Sequence, residues 1–235
     1  HYMDGCKDCP QQKAYQRLLF PNVPAKAFGV KQNAYPQINA AFVAPEYVIN
    51  TAKLSPLMKG CSLGILDEAV DMEANRPRDT KTLRKELQID DDKLVFVCVA
   101  KLNQPSKGAS YFIEAARKLE NDPRFVFIHI GHNCKYPKPL PANLITKGYV
   151  NNQDELSQYY SMADLFVFAS VLDTMPNTCL EALGCGSPLL CFDVSGMSYL
   201  GDSSVMTLVE SRNVDAMVEV IRHTKKKTQE TIDTC

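Results

Sequence analysis

Apolar residues along this 235-residue chain gather into short unbroken runs, with helical patterns between them. Two runs, 94–100 and 165–169, are apolar throughout, as strands buried on both faces require. A third run, 125–130, is apolar except for His129. Between the runs at 94–100 and 125–130, apolar residues recur at the spacing of one helix face, and these are Phe112, Ala115, Ala116 and Leu119. The pattern therefore predicts a strand, a helix and a second strand in succession.

The same alternation continues through the second half of the chain. Further strands are predicted at 144–145, 188–192 and 205–209, and further helices at 154–163, 177–183 and 214–223. Strands that alternate with helices at this spacing indicate βαβ units and a parallel sheet covered on both faces. Right-handed crossovers then produce a doubly wound, Rossmann-like α/β fold. Ligands of such folds bind beyond the carboxyl ends of the strands, where the strand order reverses.

Residues 1–75 have a less regular pattern and form a first region of their own. Its apolar positions predict short elements at 40–44, 46–54 and 61–66. A linker is expected at 76–92, because it opens on Arg76-Pro77-Arg78 and holds only a short helix at 82–87. The main domain is then expected at 93–235.

Charge and composition limit the classes of function. The formal net charge is −1, so the chain lacks the basic surplus that a nucleic-acid binder usually has. No apolar run approaches the ~20 residues of a membrane span, and residues 1–4 have no signal-peptide pattern. We therefore expect a cytoplasmic protein without a nucleic-acid partner. The one cationic run, Lys225–Lys227, is expected to lie in a solvated helix end or tail.

The cysteine usage indicates a reducing compartment more than a disulfide framework, because the chain has nine cysteines, an odd number. Cys6 and Cys9 form a Cys-x-x-Cys pair, for which a zinc site, a disulfide and free thiols all stay open. Free thiols are favoured, because a zinc site needs about four ligands and no second pair stands at a matching spacing.

The strongest chemical pattern is the segment from Asp173 to Pro188. Asp173 lies in the loop after a predicted strand, and Glu181, eight positions later, lies one turn inside the next helix. Asn177 and Glu181 are four residues apart and share a helix face. The start of that helix offers unpaired backbone N–H groups to a diphosphate, and nearby carboxylates can accept hydrogen bonds from sugar hydroxyls. The segment therefore combines phosphate and polyol recognition.

This segment resembles retaining glycosyltransferase family 4, whose members have the GT-B fold. The match comprises Asp173, Pro176, Asn177, Thr178, Glu181, Ala182, Leu183, Gly186 and Pro188. Two further matches are Ala100-Lys101-Leu102 with Lys107-Gly108, and Gly148-Tyr149-Val150 followed by the stretch from Tyr160 to Ser170. The resemblance is close over 90–210 and weak before it. It implies that 93–235 is the C-terminal, nucleotide-sugar-binding half and that 1–75 is the remnant or end of the acceptor-side domain.

The resemblance also implies a role for each matching residue. Glu181 holds the ribose of the sugar donor, Asp173 contacts the transferred sugar, and Lys101 and Lys107 neutralise the leaving diphosphate. The implied catalytic residues are Asp173, Lys101 and Lys107. The implied binding set is Lys101, Lys107, Val150, Asp173, Thr174, Met175, Pro176, Asn177, Thr178 and Glu181. No metal or other cofactor is expected, because lysines and a helix N-terminus serve the phosphates.

The chain departs from the family pattern at three places. Lys101 stands where the family has Arg, Ala100 stands where it has Gly, and 66–71 replaces a turn that commonly contains Pro-Asn-Gly. A lysine offers a point charge in place of a bidentate fork. Core positions are expected for His129, Tyr159 and Tyr160, whereas His132 is better placed to line the cleft.

The expected function is transfer of a hexose from a UDP- or GDP-sugar to a glycan or lipid-linked glycan acceptor, with retention, in cell-surface polysaccharide assembly. The isolated chain is expected to transfer little, since its acceptor-side domain is incomplete. The alternative is a non-catalytic sugar-nucleotide-binding module or the partner subunit of a split transferase. A GT-B epimerase is less favoured because of the Asp-x-x-Pro-Asn-Thr turn. A partner chain that supplies the acceptor side, and association with the inner face of the membrane through a missing domain, stay open.

Overall fold

The computed structural model describes residues 2–6, 23–43, 46–131, 136–194 and 196–235. The chain forms two compact units, His1–Glu68 and Ala69–Cys235. The division lies before residue 75, where the first region was expected to end, and the expected linker at 76–92 belongs to the second unit. Cys9, His132, Ala44 and Pro45 lie outside the described residues.

Among its described residues, the first unit contains a pair of parallel strands and two helices. Its elements are α1 (Val23–Ala34), β1 (Ala40–Val43), α2 (Glu46–Lys53) and β2 (Ser62–Ile65). The strands pair in register, with Ala40 opposite Ser62. The apolar pattern did not predict α1, because only Phe28 of its twelve residues is buried. Such a helix has no continuous apolar face from which to recognise it.

The second unit contains a six-stranded parallel sheet with helices between the strands. Its strands are β3 (Leu94–Val99), β4 (Phe125–Ile130), β5 (Leu144–Lys147), β6 (Leu165–Phe168), β7 (Leu189–Asp193) and β8 (Met206–Glu210). Its helices are α3 (Lys81–Glu86), α4 (Ala109–Lys118), α5 (Gln153–Met162), α6 (Asn177–Gly184), α7 (Val214–His223) and α8 (Gln229–Thr234). The strand order is β5-β4-β3-β6-β7-β8, so the order reverses between β3 and β6. This confirms the predicted doubly wound, Rossmann-like fold.

The sheet is buried on both faces because its strands carry apolar residues at successive positions. Val95 and Val97 pack in the core under α5 and α6, whereas Phe96 and Cys98 pack in the core under α4 and α7. Because successive side chains of a strand point to opposite faces of the sheet, one unbroken apolar run contributes to the cores on both faces. The arrangement explains why the longest apolar runs predicted the central strands so closely.

The C-terminal segment packs against the rest of the second unit. Lys225 and Lys226 are exposed, as expected, but the expectation was wrong for Lys227. Lys227 was expected in a solvated helix end or tail, but its Nζ donates hydrogen bonds to the carbonyl oxygens of Ser161 and Gly186 at 2.6 and 3.1 Å. Burial lowers the pKa of Lys227 to about 8, although the charge of Asp164 opposes that shift. Helix α8, which the apolar pattern did not predict, follows directly and places Ile232 against Gly186.

Candidate functional site

Two loops meet at the point where the strand order reverses. One follows β3 and ends at Gly108, and the other follows β6. Gly108 has a φ of +73°, and a Cβ at this position would lie 1.6 Å from the carbonyl oxygen of Ala169. The N–H of Val171 and the hydroxyl of Ser170 both donate to the carbonyl oxygen of Ser106 at 2.9 Å. Glycine therefore allows a backbone contact that fixes the two loops to each other.

This contact brings two of the predicted site residues together. Lys107 Nζ lies 2.8 Å from Asp173 Oδ2, and the side chains are 40% and 14% exposed. The second carboxylate oxygen, Oδ1, accepts a hydrogen bond from the N–H of Thr174 at 2.9 Å. The family roles assigned the cation and the carboxylate to different parts of a ligand, whereas the structure pairs them with each other.

Helix α6 begins directly after this pair. Pro176 is its N-cap residue, and no side chain caps the helix start by a hydrogen bond. By contrast, Asn152 and Asn213 cap α5 and α7 with their side-chain oxygens. An uncapped helix start presents backbone N–H groups and the positive end of the helix dipole to an anion. Asn177, the first residue of α6, is exposed beside it.

Glu181 lies on the same helix and lines a cavity of about 380 Å³. The cavity is also lined by residues 69–71, Ala74, Asn75, Gln153 and Asn177. Asn75 is buried there; its Oδ1 accepts from Gln153 Nε2 at 2.7 Å and its Nδ2 donates to the carbonyl oxygen of Asp71 at 3.0 Å. The cavity therefore joins a carboxylate to a wall of hydrogen-bonded amides.

A buried tyrosine contacts the carboxylate from the core side. The hydroxyl of Tyr160 donates to Glu181 Oε2 at 2.8 Å. Tyr160 is fully buried, as expected of a core residue, but its contact with a site residue was not predicted. Burial raises its pKa far above the usual range, and the charge of Glu181 raises it further. The sequence did hold a signal for this contact, because a tyrosine at a fully buried helix position needs a hydrogen-bond partner that a phenylalanine would not need.

The other predicted binding residues occupy different surroundings. Lys101 follows β3 and is exposed, and no side-chain ion pair or hydrogen bond is recorded for it within the described ranges. Val150 is 7% exposed and packs in the core, so its side chain is mostly covered. In the loop before α6, Thr174 is exposed, Met175 is partly buried against the core and Pro176 is buried. Thr178 is partly buried in the first turn of α6.

His129 is a core histidine, as expected. It is fully buried on β4, and its Nδ1 lies 2.8 Å from the hydroxyl of Tyr136. Burial lowers the pKa of His129 to about 4, so the imidazole is neutral near pH 7.

The described residues contain neither a cluster of metal ligands nor a membrane-spanning helix. In that part of the chain, no three His, Cys, Asp or Glu side chains come close enough to hold a metal ion. None of the helices described is long and apolar enough to cross a bilayer.

Comparison with known proteins decides the family. The sequence profile of the family described as "Glycosyl transferases group 1" matches residues 93–226, which is more than half of the chain. The chain belongs to this glycosyltransferase family. The matched residues contain every element from β3 to α7, and with them Lys107, Asp173 and Glu181.

Two curated relatives are glycosyltransferases by name. TuaC of Bacillus subtilis (strain 168), named for teichuronic acid biosynthesis, is 30% identical over 143 residues, which cover 59% of this chain and 35% of TuaC. The UDP-Gal:alpha-D-GlcNAc-diphosphoundecaprenol alpha-1,3-galactosyltransferase of Escherichia coli is 26% identical over 174 residues, which cover 68% of this chain and 44% of that enzyme. The chain thus spans less than half the length of either relative.

A solved structure supports the same fold. HepE of Anabaena, crystallised with UDP-glucose, superimposes with a TM-score of 0.69 at 15% sequence identity, over 91% of this chain and 60% of HepE. At that identity the likeness concerns the fold alone. Together with the strand order, it confirms the GT-B type of Rossmann-like fold for this sheet.

Proposed function

We propose that this glycosyltransferase binds a UDP- or GDP-sugar at the carboxyl edge of the sheet and forms the donor side of a retaining hexosyltransferase. One observation carries the proposal: the Lys107–Asp173 pair stands at the reversal of strand order, directly before the uncapped start of α6. A cation, a carboxylate and free helix-start amides at one point suit a sugar diphosphate.

Each part of the sugar donor has a matching group. The diphosphate binds at the start of α6, near Asn177 and Thr178. Its negative charge is neutralised by Lys107 and Lys101. Because Lys107 already pairs with Asp173 at 2.8 Å, the incoming phosphate shares or replaces this partner. The ribose binds at Glu181, which lines the cavity. Asp173 then contacts the transferred sugar.

The chemistry proposed for this arrangement is electrostatic. Cations and amides stabilise the negative charge that develops on the leaving diphosphate. We propose that no metal takes part, because lysines and a helix start occupy the place where one would act. Attack on the same face of the sugar then retains the anomeric configuration. Addition of EDTA to the protein is expected to change neither nucleotide affinity nor the melting temperature.

The names of the relatives favour a hexose and a surface glycan. The E. coli relative uses UDP-Gal and a diphosphoundecaprenol-linked acceptor by name, TuaC is named for teichuronic acid biosynthesis, and HepE was crystallised with UDP-glucose. For this chain we therefore propose a glycan or lipid-linked glycan acceptor in cell-surface polysaccharide assembly. A cytoplasmic place at the inner face of the membrane fits such an acceptor.

The acceptor side requires more than the first unit provides. In the described part of this unit the sheet has two parallel strands, whereas parallel sheets are normally covered on both faces. Phe42 and Ile65 on these strands are 65% and 50% exposed. We propose that a further part of the acceptor-side domain, in the same protein or in a partner chain, covers them. The alternative function, a sugar-nucleotide-binding module without transfer, follows if no such part exists.

Two measurements test the proposed function. Calorimetry with UDP and GDP, followed by a thermal-shift panel of their hexose conjugates, checks binding and selects the sugar. No heat and no stabilisation with either nucleotide would reject the proposal. Hydrolysis of the selected UDP- or GDP-sugar, with and without a supplied acceptor-side domain, then separates the transferase from the binding module, because only the transferase gains turnover.

A further inference from the structure

Tyr160 is held in a fixed position from which its hydroxyl contacts the carboxylate of Glu181. The hydroxyl donates to a carboxylate oxygen at 2.8 Å, and Tyr160 is the one recorded partner of the Glu181 side chain in the described part of the chain. The tyrosine ring packs edge-on against Phe166, with 5.3 Å between the ring centroids. The ring therefore has little freedom to carry its hydroxyl away from Glu181.

The backbone that carries Tyr160 is also fixed. It lies near the end of α5, where carbonyl oxygens have no partner within the helix. The hydroxyl of Ser187 donates to the carbonyl oxygens of Tyr160 and Ala163, and Lys227 Nζ donates to that of Ser161. The helix end is thus tied to the turn after α6 and to the C-terminal segment.

A neutral hydroxyl suits this place better than a second charge would. A lysine or arginine beside Glu181 would form an ion pair and compete with a neutral hydroxyl ligand for the carboxylate. The tyrosine hydroxyl donates one hydrogen bond and leaves the negative charge in place. Glu181 also lines the 380 Å³ cavity, so its carboxylate lies between the core and the open space.

We propose that Tyr160 is a positioning residue for the sugar donor, which holds one carboxylate oxygen of Glu181 so that the carboxylate is oriented to accept hydrogen bonds from the ribose hydroxyls. The inference rests on the proposed function, since it assumes that Glu181 contacts the ribose. Tyr160 acts only through Glu181, and it does not touch the ligand. Without the hydroxyl, the carboxylate must lose rotational freedom at the moment of binding, which weakens the ribose contact.

The test uses Tyr160→Phe, which removes the hydroxyl and keeps the ring. Tyr159→Phe is the matched control, because Tyr159 is the neighbouring residue, is also fully buried and has no recorded hydrogen bond to Glu181. Affinities are measured for UDP, or for GDP if the wild type prefers it, for the corresponding nucleoside, and for inorganic pyrophosphate. The same set is measured for Glu181→Ala and for Tyr160→Phe combined with Glu181→Ala.

We expect Tyr160→Phe to weaken the nucleotide and the nucleoside by about five- to tenfold, the size of one lost charge-assisted hydrogen bond or less. Pyrophosphate affinity should stay within about twofold, and Tyr159→Phe should stay within about twofold for all three ligands. In the Glu181→Ala protein, the loss of the Tyr160 hydroxyl should have no further effect, because its one route to the ligand is gone.

The outcomes separate this inference from the function on which it rests. If the wild type binds neither nucleotide, the proposed function fails and the inference fails with it. If the wild type binds and Glu181→Ala weakens the nucleoside while Tyr160→Phe does not, the inference alone is wrong. The inference is also overturned if Tyr160→Phe lowers the affinities for pyrophosphate and nucleoside equally, or if the combined variant binds more weakly than Glu181→Ala. Either result indicates a general effect on packing.

Discussion

Lys107 and Asp173 are 66 residues apart in the chain, and they form one ion pair with 2.8 Å between Nζ and Oδ2. The pair bridges the loops that follow the two central strands, β3 and β6. Before the sugar donor binds, the carboxylate therefore holds the cation at the place where the diphosphate arrives. For a nucleoside diphosphate that lacks the transferred sugar, substitution of Lys107 should therefore lower the affinity, whereas substitution of Asp173 should not.

We expect Lys107→Met to weaken UDP by about tenfold and to leave uridine within about twofold, because the lost charge faces the phosphates alone. Calorimetry with both ligands measures the difference. Lys118→Met is the matched control, since Lys118 forms a similar pair with Asp215 at 2.6 Å on another surface, and it should change neither affinity. Equal losses for UDP and uridine in Lys107→Met would contradict the assigned role.

Asp173→Asn and Glu181→Gln should fail differently. Asp173→Asn removes the charge that competes for Lys107, so free UDP should bind as well as before or more tightly, whereas the matching UDP-sugar should lose about tenfold. Glu181→Gln should weaken UDP and UDP-sugar by similar factors, because the ribose is common to both. Both variants must first melt like the wild type. If Asp173→Asn lowers the affinity for free UDP, the transferred sugar does not bind at Asp173 as proposed.

The sequence predicts the central sheet well because burial on both faces leaves an unmistakable pattern. Strands β3, β4, β6 and β7 have apolar residues at nearly every position, so their bounds agree with the expected ones within a few residues. Helices α1 and α8 have no such pattern, and their places depend on packing with distant parts of the chain. A short or weakly amphipathic helix is specified by its tertiary contacts more than by its own residues.

In the candidate site, too, the sequence predicts what is local and misses contacts between distant residues. The motif predicts which residues belong to it, because Asp173 and Glu181 are close in sequence. The pairing of Lys107 with Asp173 and the contact of Tyr160 with Glu181 join different βα units. Such contacts depend on strand order and helix orientation, which the residue pattern does not encode by itself. The buried Lys227 escaped prediction for this reason too, since its partners are carbonyl oxygens of other elements.

The buried His129 should make the stability depend on pH. Its pKa is about 4 in the folded protein, against about 6.5 when unfolded, so the unfolded chain takes up a proton first as the pH falls. The contribution is constant above pH 6.5, and about 3 kcal/mol is lost between pH 6.5 and 4. Urea unfolding at pH 7.5, 6 and 5 measures this slope. His129→Gln should be less stable at pH 7.5 but have a shallower slope, and parallel curves would refute the assignment.

The final prediction concerns the glycine on which the meeting of the two loops depends. In Gly108→Ala the added Cβ would lie 1.6 Å from the carbonyl oxygen of Ala169, and the φ of +73° disfavours any side chain. A backbone carbonyl at the end of β6 cannot move aside without separating Ser106 from Val171. We therefore expect a loss of more than about 3 kcal/mol in the free energy of unfolding. The change should be measured by urea unfolding monitored by circular dichroism.

Gly148→Ala supplies the control for this change. Gly148 follows β5 at the same edge of the sheet, but no atom lies within 4 Å of its added Cβ. Its substitution should alter the free energy of unfolding by less than about 0.5 kcal/mol. If Gly108→Ala proves as stable as Gly148→Ala, the loops do not meet as closely as the structure has them. The Lys107–Asp173 pair, whose distance depends on that meeting, would then lose its structural basis together with the sugar-diphosphate site built around it.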